Sequence, residues 1–257
     1  MMVIIIALGF QPLGRVAMNA VEAPDKYLRT VQKLVVTQGW REFLTAELFA
    51  DALKYVPTLK GKKLIAEHVA EELEHYELCE GLYRELGGDL WQDVQARIAR
   101  HPWPRIESWP ELAVFQFLND RAATFQLLEY RACSYAPYAK IVNHILEEEE
   151  GHVGFGESVV KEMCAAGEAK RREAQALFDK WLPYCLMVFG RPGTPGDRYA
   201  VEVGLKARGS GAIMRDYVDD LKPTMEECGL RFPSASGLGV EIPEDLALTG
   251  AREAHPS

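Results

Sequence analysis

Glu72-Leu-Glu-His75 and Glu149-Glu-Gly-His152 repeat one carboxylate-plus-imidazole pair, three residues apart, in two separate stretches that both read as helix. Residues i and i+3 share a helix face, so each pair can grip one side of a metal ion. Two such pairs on facing helices can hold two ions. A four-helix bundle with two further inward carboxylates is the usual frame for a di-iron or di-manganese centre. A single Glu-x-x-His on an acidic helix is ordinarily a solvated face, and it is the repetition that raises metal chemistry here.

The elements that must position these residues are legible as helices. Leu28, Val31, Leu34, Val35, Phe43, Leu44, Leu48 and Leu53 recur at helical spacing and predict a first helix over 24–56, with Gly39 as a candidate break. Thr58 reads as the N-cap of a second helix over 59–86, which Gly87-Gly88 stops. Pro102, Pro104 and Pro110, with Trp91, Trp103 and Trp109, predict an irregular crossover over 89–110 through which no long helix passes. A third helix is expected over 111–133 and, after Ser134-Tyr-Ala-Pro137, a fourth over 138–163 that carries the second motif. Two more, over 168–188 and 199–227, flank the turn-rich segment from Gly190 to Gly196. The expected fold is all-α, a ferritin-like four-helix bundle with additional C-terminal helices. It forms one domain over 24–230, between a flexible leader (1–23, with Met18 as an alternative start) and an irregular tail (231–257).

The helices come as two pairs, which predicts one further carboxylate per pair about 30 residues upstream of each motif, one helix plus a turn at 1.5 Å per residue. Glu42 lies 30 residues before Glu72, and Asp120 lies 29 before Glu149. The matching intervals favour these two over Glu47 and Glu129.

Composition narrows the function classes. With 29 basic against 38 acidic side chains, a formal charge of −9 and no basic stripe, nucleic acid is not an expected partner. The five cysteines lack CxxC spacing, which argues against a zinc ribbon, a redox motif or a disulfide framework and for a reducing cytoplasm. The apolar opening has no preceding Lys or Arg and is too short to span a bilayer, so neither export nor a membrane is expected.

Val56-Pro-Thr-Leu59, the run from Ala66 to His75, Asp120-Arg-Ala-Ala123, Ser134-Tyr-Ala-Pro-Tyr-Ala139, Glu148-Glu-Gly-His152 and the run from Trp181 to Gly190 together resemble the phenylacetic acid catabolic family. The likeness is to its catalytic subunits of phenylacetyl-CoA epoxidase type, over about residues 25 to 235. It implies that Glu42, Glu72, His75, Asp120, Glu149 and His152 are the metal ligands, with Asp120 matching an aspartate expected of the family. Glu129, at a position expected to be apolar, and a shorter C-terminal tail depart from the family pattern.

Hard carboxylate oxygens and two imidazoles suit two Fe ions, with Mn the main competitor. The implied activity is an O2-dependent di-iron monooxygenase of the epoxidase or hydroxylase type, with Glu42, Glu72, Asp120 and Glu149 as catalytic residues. It would insert one oxygen atom from O2 into an aromatic or acyl substrate, of which a CoA thioester is one form. Without a dinucleotide fingerprint or a cysteine cluster the chain needs a separate electron-transfer reductase. A homo-oligomer, or a hetero-oligomer with a related helical subunit, is expected. The rival readings are another ferritin-like di-iron enzyme (aldehyde deformylating oxygenase, N-oxygenase or peroxidase) and a metal-free structural subunit.

Plainer roles are expected for other residues. Glu147 to Glu150 reads in part as a surface acidic run. His68 and His144 read as core or supporting groups, Tyr135 and Tyr138 as packing residues with a hydrogen-bonded hydroxyl, Trp181, Met187 and Phe189 as core, and Cys79 and Cys133 as buried thiols.

Overall fold

The computed structural model describes residues 24–149, 153–234, 238–240 and 242–243, without the side chains of residues 149 and 153. Among the described residues there are nine α-helices and no strand: α1 (Asp25–Ala52), α2 (Leu59–Glu85), α3 (Leu90–Arg100), α4 (Trp109–Tyr130), α5 (Ala136–Glu149), α6 (Val153–Ala165), α7 (Glu168–Met187), α8 (Pro195–Glu202) and α9 (Ser210–Cys228). The fold is all-α and of the ferritin-like bundle type. No helix among the described residues is long and apolar enough to cross a membrane.

Local chemistry sets the helix ends. The Thr58 hydroxyl accepts from the Gly61 amide at 3.0 Å and caps α2, while Ser108 caps α4 by accepting from the Glu111 amide at 3.2 Å. After α2 the chain turns through Gly87 at φ +81°, a conformation that favours glycine. On α2 the row Gly61, Ile65, His68, Glu72, His75, Cys79 and Leu82 is buried, so the polar groups of the motif lie in the same stripe as the apolar core. That stripe packs against α1. Residues 111–122 of α4 are all buried, which makes α4 the central helix, flanked chiefly by α6 and α7. On α6, a Cβ at Gly156 would stand 2.5 Å from the Phe117 amide nitrogen and 2.8 Å from the Ala113 carbonyl oxygen, so α6 lies directly against the α4 backbone.

Several expectations need correction. Gly39 does not break α1. A Cβ there would meet Leu90 at 2.7 Å and Cys79 at 3.4 Å, so the glycine admits neighbouring helices. The crossover contains an 11-residue helix, α3, because Asp89 caps it through the Gln92 amide at 3.0 Å and its prolines all lie beyond Arg100. The stretch 199–227 holds parts of two helices, α8 and α9, divided by a turn through Gly204 at φ +76°. Met187, at the end of α7, is exposed, whereas Trp181 and Phe189 are core. In the tail, Phe232 and Leu238 are buried against the bundle. The described parts of the fourth helix are α5 and α6. Residues 150–152, and with them His152, lie outside the described residues, as does the leader.

Candidate metal centre

Three helices bring the chemistry together. From α1, Gln38, Arg41, Glu42 and Thr45 fall on one face. From α4 come Asn119, Asp120, Ala123 and Leu127, and with Glu72 of α2 and Val188 they line a cavity of about 20 Å³, room for a water-sized occupant. Glu42, Glu72 and Asp120 are all buried. One donor atom each from Glu42, Glu72 and His75 lie within 4.8 Å of one another. Of the competing carboxylates, Glu47 is exposed and Glu129 is bound by Arg208 at 2.5 Å.

The imidazole of His75 is fully buried and held through one ring nitrogen. Its Nε2 lies 2.8 Å from Glu148 Oε2 on α5. A carboxylate there fixes the proton on Nε2, which donates, and leaves a lone pair on Nδ1. Nδ1 makes no hydrogen bond among the described residues and stands 4.0 Å from Glu42 Oε2. That is too long for a hydrogen bond and short enough for both atoms to ligate one ion. The donor set of two carboxylates and an imidazole lone pair therefore fits a first-row metal ion.

The surroundings keep these donors in place. Gln38 donates to Glu42 Oε1 and accepts a long bond from the Tyr138 hydroxyl at 3.4 Å. Tyr138 is thus a buried packing residue with its hydroxyl hydrogen-bonded, as expected. Arg41 directs its guanidinium to the Gln126 side chain and to the Val188 carbonyl at 2.7 Å. Burial lowers its pKa, partly offset by the tyrosines Tyr130 and Tyr138 and by Glu42. Burial, then the nearby Glu42 charge, pushes the Cys79 thiol well up, and burial with Asp120 does the same to Cys185. Both stay neutral thiols and compete poorly as ligands. His68 accepts from Gln116 through Nδ1 at 3.1 Å. His144 is half exposed, 3.7 Å from Glu148.

The sequence reasoning missed Glu148, which it treated as part of a surface run. Its side chain turns from α5 toward α2 and meets His75, a direction that the acidic run alone does not give. None of the three crossover tryptophans lines the cavity. Trp103 instead joins Trp40, Phe115, Trp181 and Tyr184 in an aromatic cluster, with ring centroids 5.4 to 6.5 Å from its own.

A helical bundle whose neighbouring rods converge carboxylates and an imidazole on one buried point is of the ferritin-like class. The chain belongs to the phenylacetic acid catabolic protein family, whose model matches residues 19–241. It is 24% identical over 223 residues to one subunit of the 1,2-phenylacetyl-CoA epoxidase of Escherichia coli (strain K12), an alignment covering 82% of this chain and 71% of that protein. It is 27% identical over 234 residues to benzoyl-CoA oxygenase component B of Aromatoleum evansii, covering 80% of this chain and 47% of that protein. It therefore spans about half the length of the second relative.

Proposed function

We propose that this protein is the oxygen-activating subunit of a multicomponent di-iron monooxygenase that acts on an aromatic or acyl CoA thioester and draws electrons from a separate reductase. The observation that carries the reading is the His75 imidazole, proton-locked by Glu148 and presenting a buried lone pair to Glu42 beside Glu72. Both relatives are named as parts of oxygenases of CoA thioesters, which supports the choice of substrate. In this proposal Glu42, Glu72 and His75 hold one side of the centre, and Asp120, Glu149 and His152 supply the other.

Two bound iron ions would supply the redox chemistry that activates O2. The chain's own residues do the rest. Glu148 holds the His75 proton at Nε2, Gln38 orients Glu42, and Leu127 and Val188 shield the donors from bulk water. Buried in this way, the carboxylates remain ordered without having to be desolvated when metal arrives.

Anaerobic iron loading followed by Mössbauer spectroscopy, then 18O2 product analysis with acyl-CoA thioesters, aldehydes and aryl amines, tests the proposal. Two irons per chain and one labelled oxygen in a thioester product are expected. Fewer than one metal per chain would favour a structural subunit, and label in an aldehyde or amine product would favour a different di-iron chemistry.

A further inference from the structure

A second cleft, of about 530 Å³, lies between α1 and α3 and shares no lining residue with the metal cavity. The chain as a whole is acidic, yet this cleft gathers four cations, Arg29, Lys33, Arg97 and Arg100, around one acid, Asp93. Asp93 already accepts the Tyr83 hydroxyl at 2.7 Å. Arg29 meets Asp25 only at 4.0 Å, with both side chains largely in water, where such a pair contributes little. Arg97 donates to the Thr37 hydroxyl at 2.9 Å and lies over the Trp40 ring at 4.2 Å, and no carboxylate among the described residues pairs with it. Arg100 donates Nε to the Ala96 carbonyl, which leaves both its NH2 groups.

The cations also crowd one another. Burial first, then Arg41 and Arg100, bring the Arg97 guanidinium down to about 10. Like charges held together at this cost are stabilised by a shared anion. Arg29 and Lys33 form one row at i,i+4, and Arg97 and Arg100 form the facing row at i,i+3. Planar guanidinium forks match phosphate oxygens in pairs. Val36 and the Tyr83 ring add an apolar surface to the lining, suited to a planar base. The volume is that of a small-molecule site, which commonly spans about 300–1,000 Å³.

We infer that this cleft binds a phosphate-bearing ligand of nucleotide size, its phosphates held between the Arg29/Lys33 and Arg97/Arg100 rows. Along the α1 axis, Arg29 stands about 20 Å from Glu42 at 1.5 Å per residue. The same chemistry would serve a free nucleotide or the nucleotide end of a thioester substrate.

Isothermal titration of the full chain with inorganic pyrophosphate, ADP and a benzoyl-CoA thioester tests this without O2 or turnover, so its failure would leave the oxygenase proposal standing. All three should bind. The doubly reversed variant K33E/R100E, altered at two exposed positions, should lose at least about tenfold in affinity for each while its melting temperature holds. K170E/R172E, reversed at two exposed positions early in α7, should bind as the unaltered chain does. A thioester bound about tenfold tighter than ADP would identify the substrate's nucleotide end as the occupant, and equal affinities a free nucleotide. No binding of pyrophosphate or ADP at millimolar concentration, or binding indifferent to K33E/R100E, would overturn the inference.

Discussion

On the C-terminal side of the molecule, Glu129, Asp197 and Glu157 each meet a cation of their own, whereas Glu42 faces an imidazole. Glu129 takes two hydrogen bonds from the Arg208 side chain and one from its amide, and Arg208 reaches on to Asp216 at 2.7 Å. Asp197 receives the Lys206 ammonium and the Ser210 amide at 3.0 Å. Glu157 receives Arg121 and, at 2.9 Å, Lys161. These acids are complete within the chain. At Glu42 the nearest guanidinium, Arg41, is turned to Gln126 and Val188, and the gap to His75 Nδ1 stays open at 4.0 Å. The same residue type is thus a strut in one region and, in the function proposed above, a metal ligand in the other. A partner inside the chain decides which.

The sharpest way to break this comparison is Glu72→Ala. If the region around Glu42 is a ligand set, the variant should keep its helical circular dichroism and lose iron to below about one per chain by elemental analysis, with no detectable turnover. Full iron occupancy would move Glu72 to the other category. Lys206→Met is the converse test. Leaving Asp197 buried without its cation should cost about 3–5 kcal/mol in denaturant unfolding while iron content is unchanged. Glu148→Ala should lower metal affinity by about 10–100-fold, and Glu148→Gln, which keeps an acceptor for His75 Nε2, should recover part of it. The smallest effect is acid sensitivity. Burial alone would raise the Asp197 pKa, but the Lys206 ammonium and the Ser210 and Gly193 amides outweigh it and hold it below the usual range. A lowered folded value means the stabilisation is full above the unfolded pKa of about 4 and is lost as pH falls through the folded value. Asp197→Asn should flatten that part of the stability–pH curve and leave the rest of its shape alone.

The helical framework was legible because its signals are local: Thr58 as a cap, Gly87 as a stop, and the stripe of α2 that puts His68, Glu72 and His75 on its buried side. What escaped depends on neighbours distant in sequence. Gly39 looks like a helix breaker until Leu90 is seen against it. Glu148 looks like one solvated charge in four until His75 arrives from a helix 73 residues away. Helix α3 was hidden differently, by reading the prolines after Arg100 as governing the whole crossover. Glu42 and Asp120 were singled out by interval alone, and both line the cavity beside Glu72.

Gly156 sets a bound on how this scaffold can diversify. Because α6 touches the main chain of α4 there, that contact has no side chain to trim, and anything larger would push two helices apart. The room beside Glu72 is bounded instead by side chains, among them Ala123, Leu127 and Val188, which can change size without parting two helices.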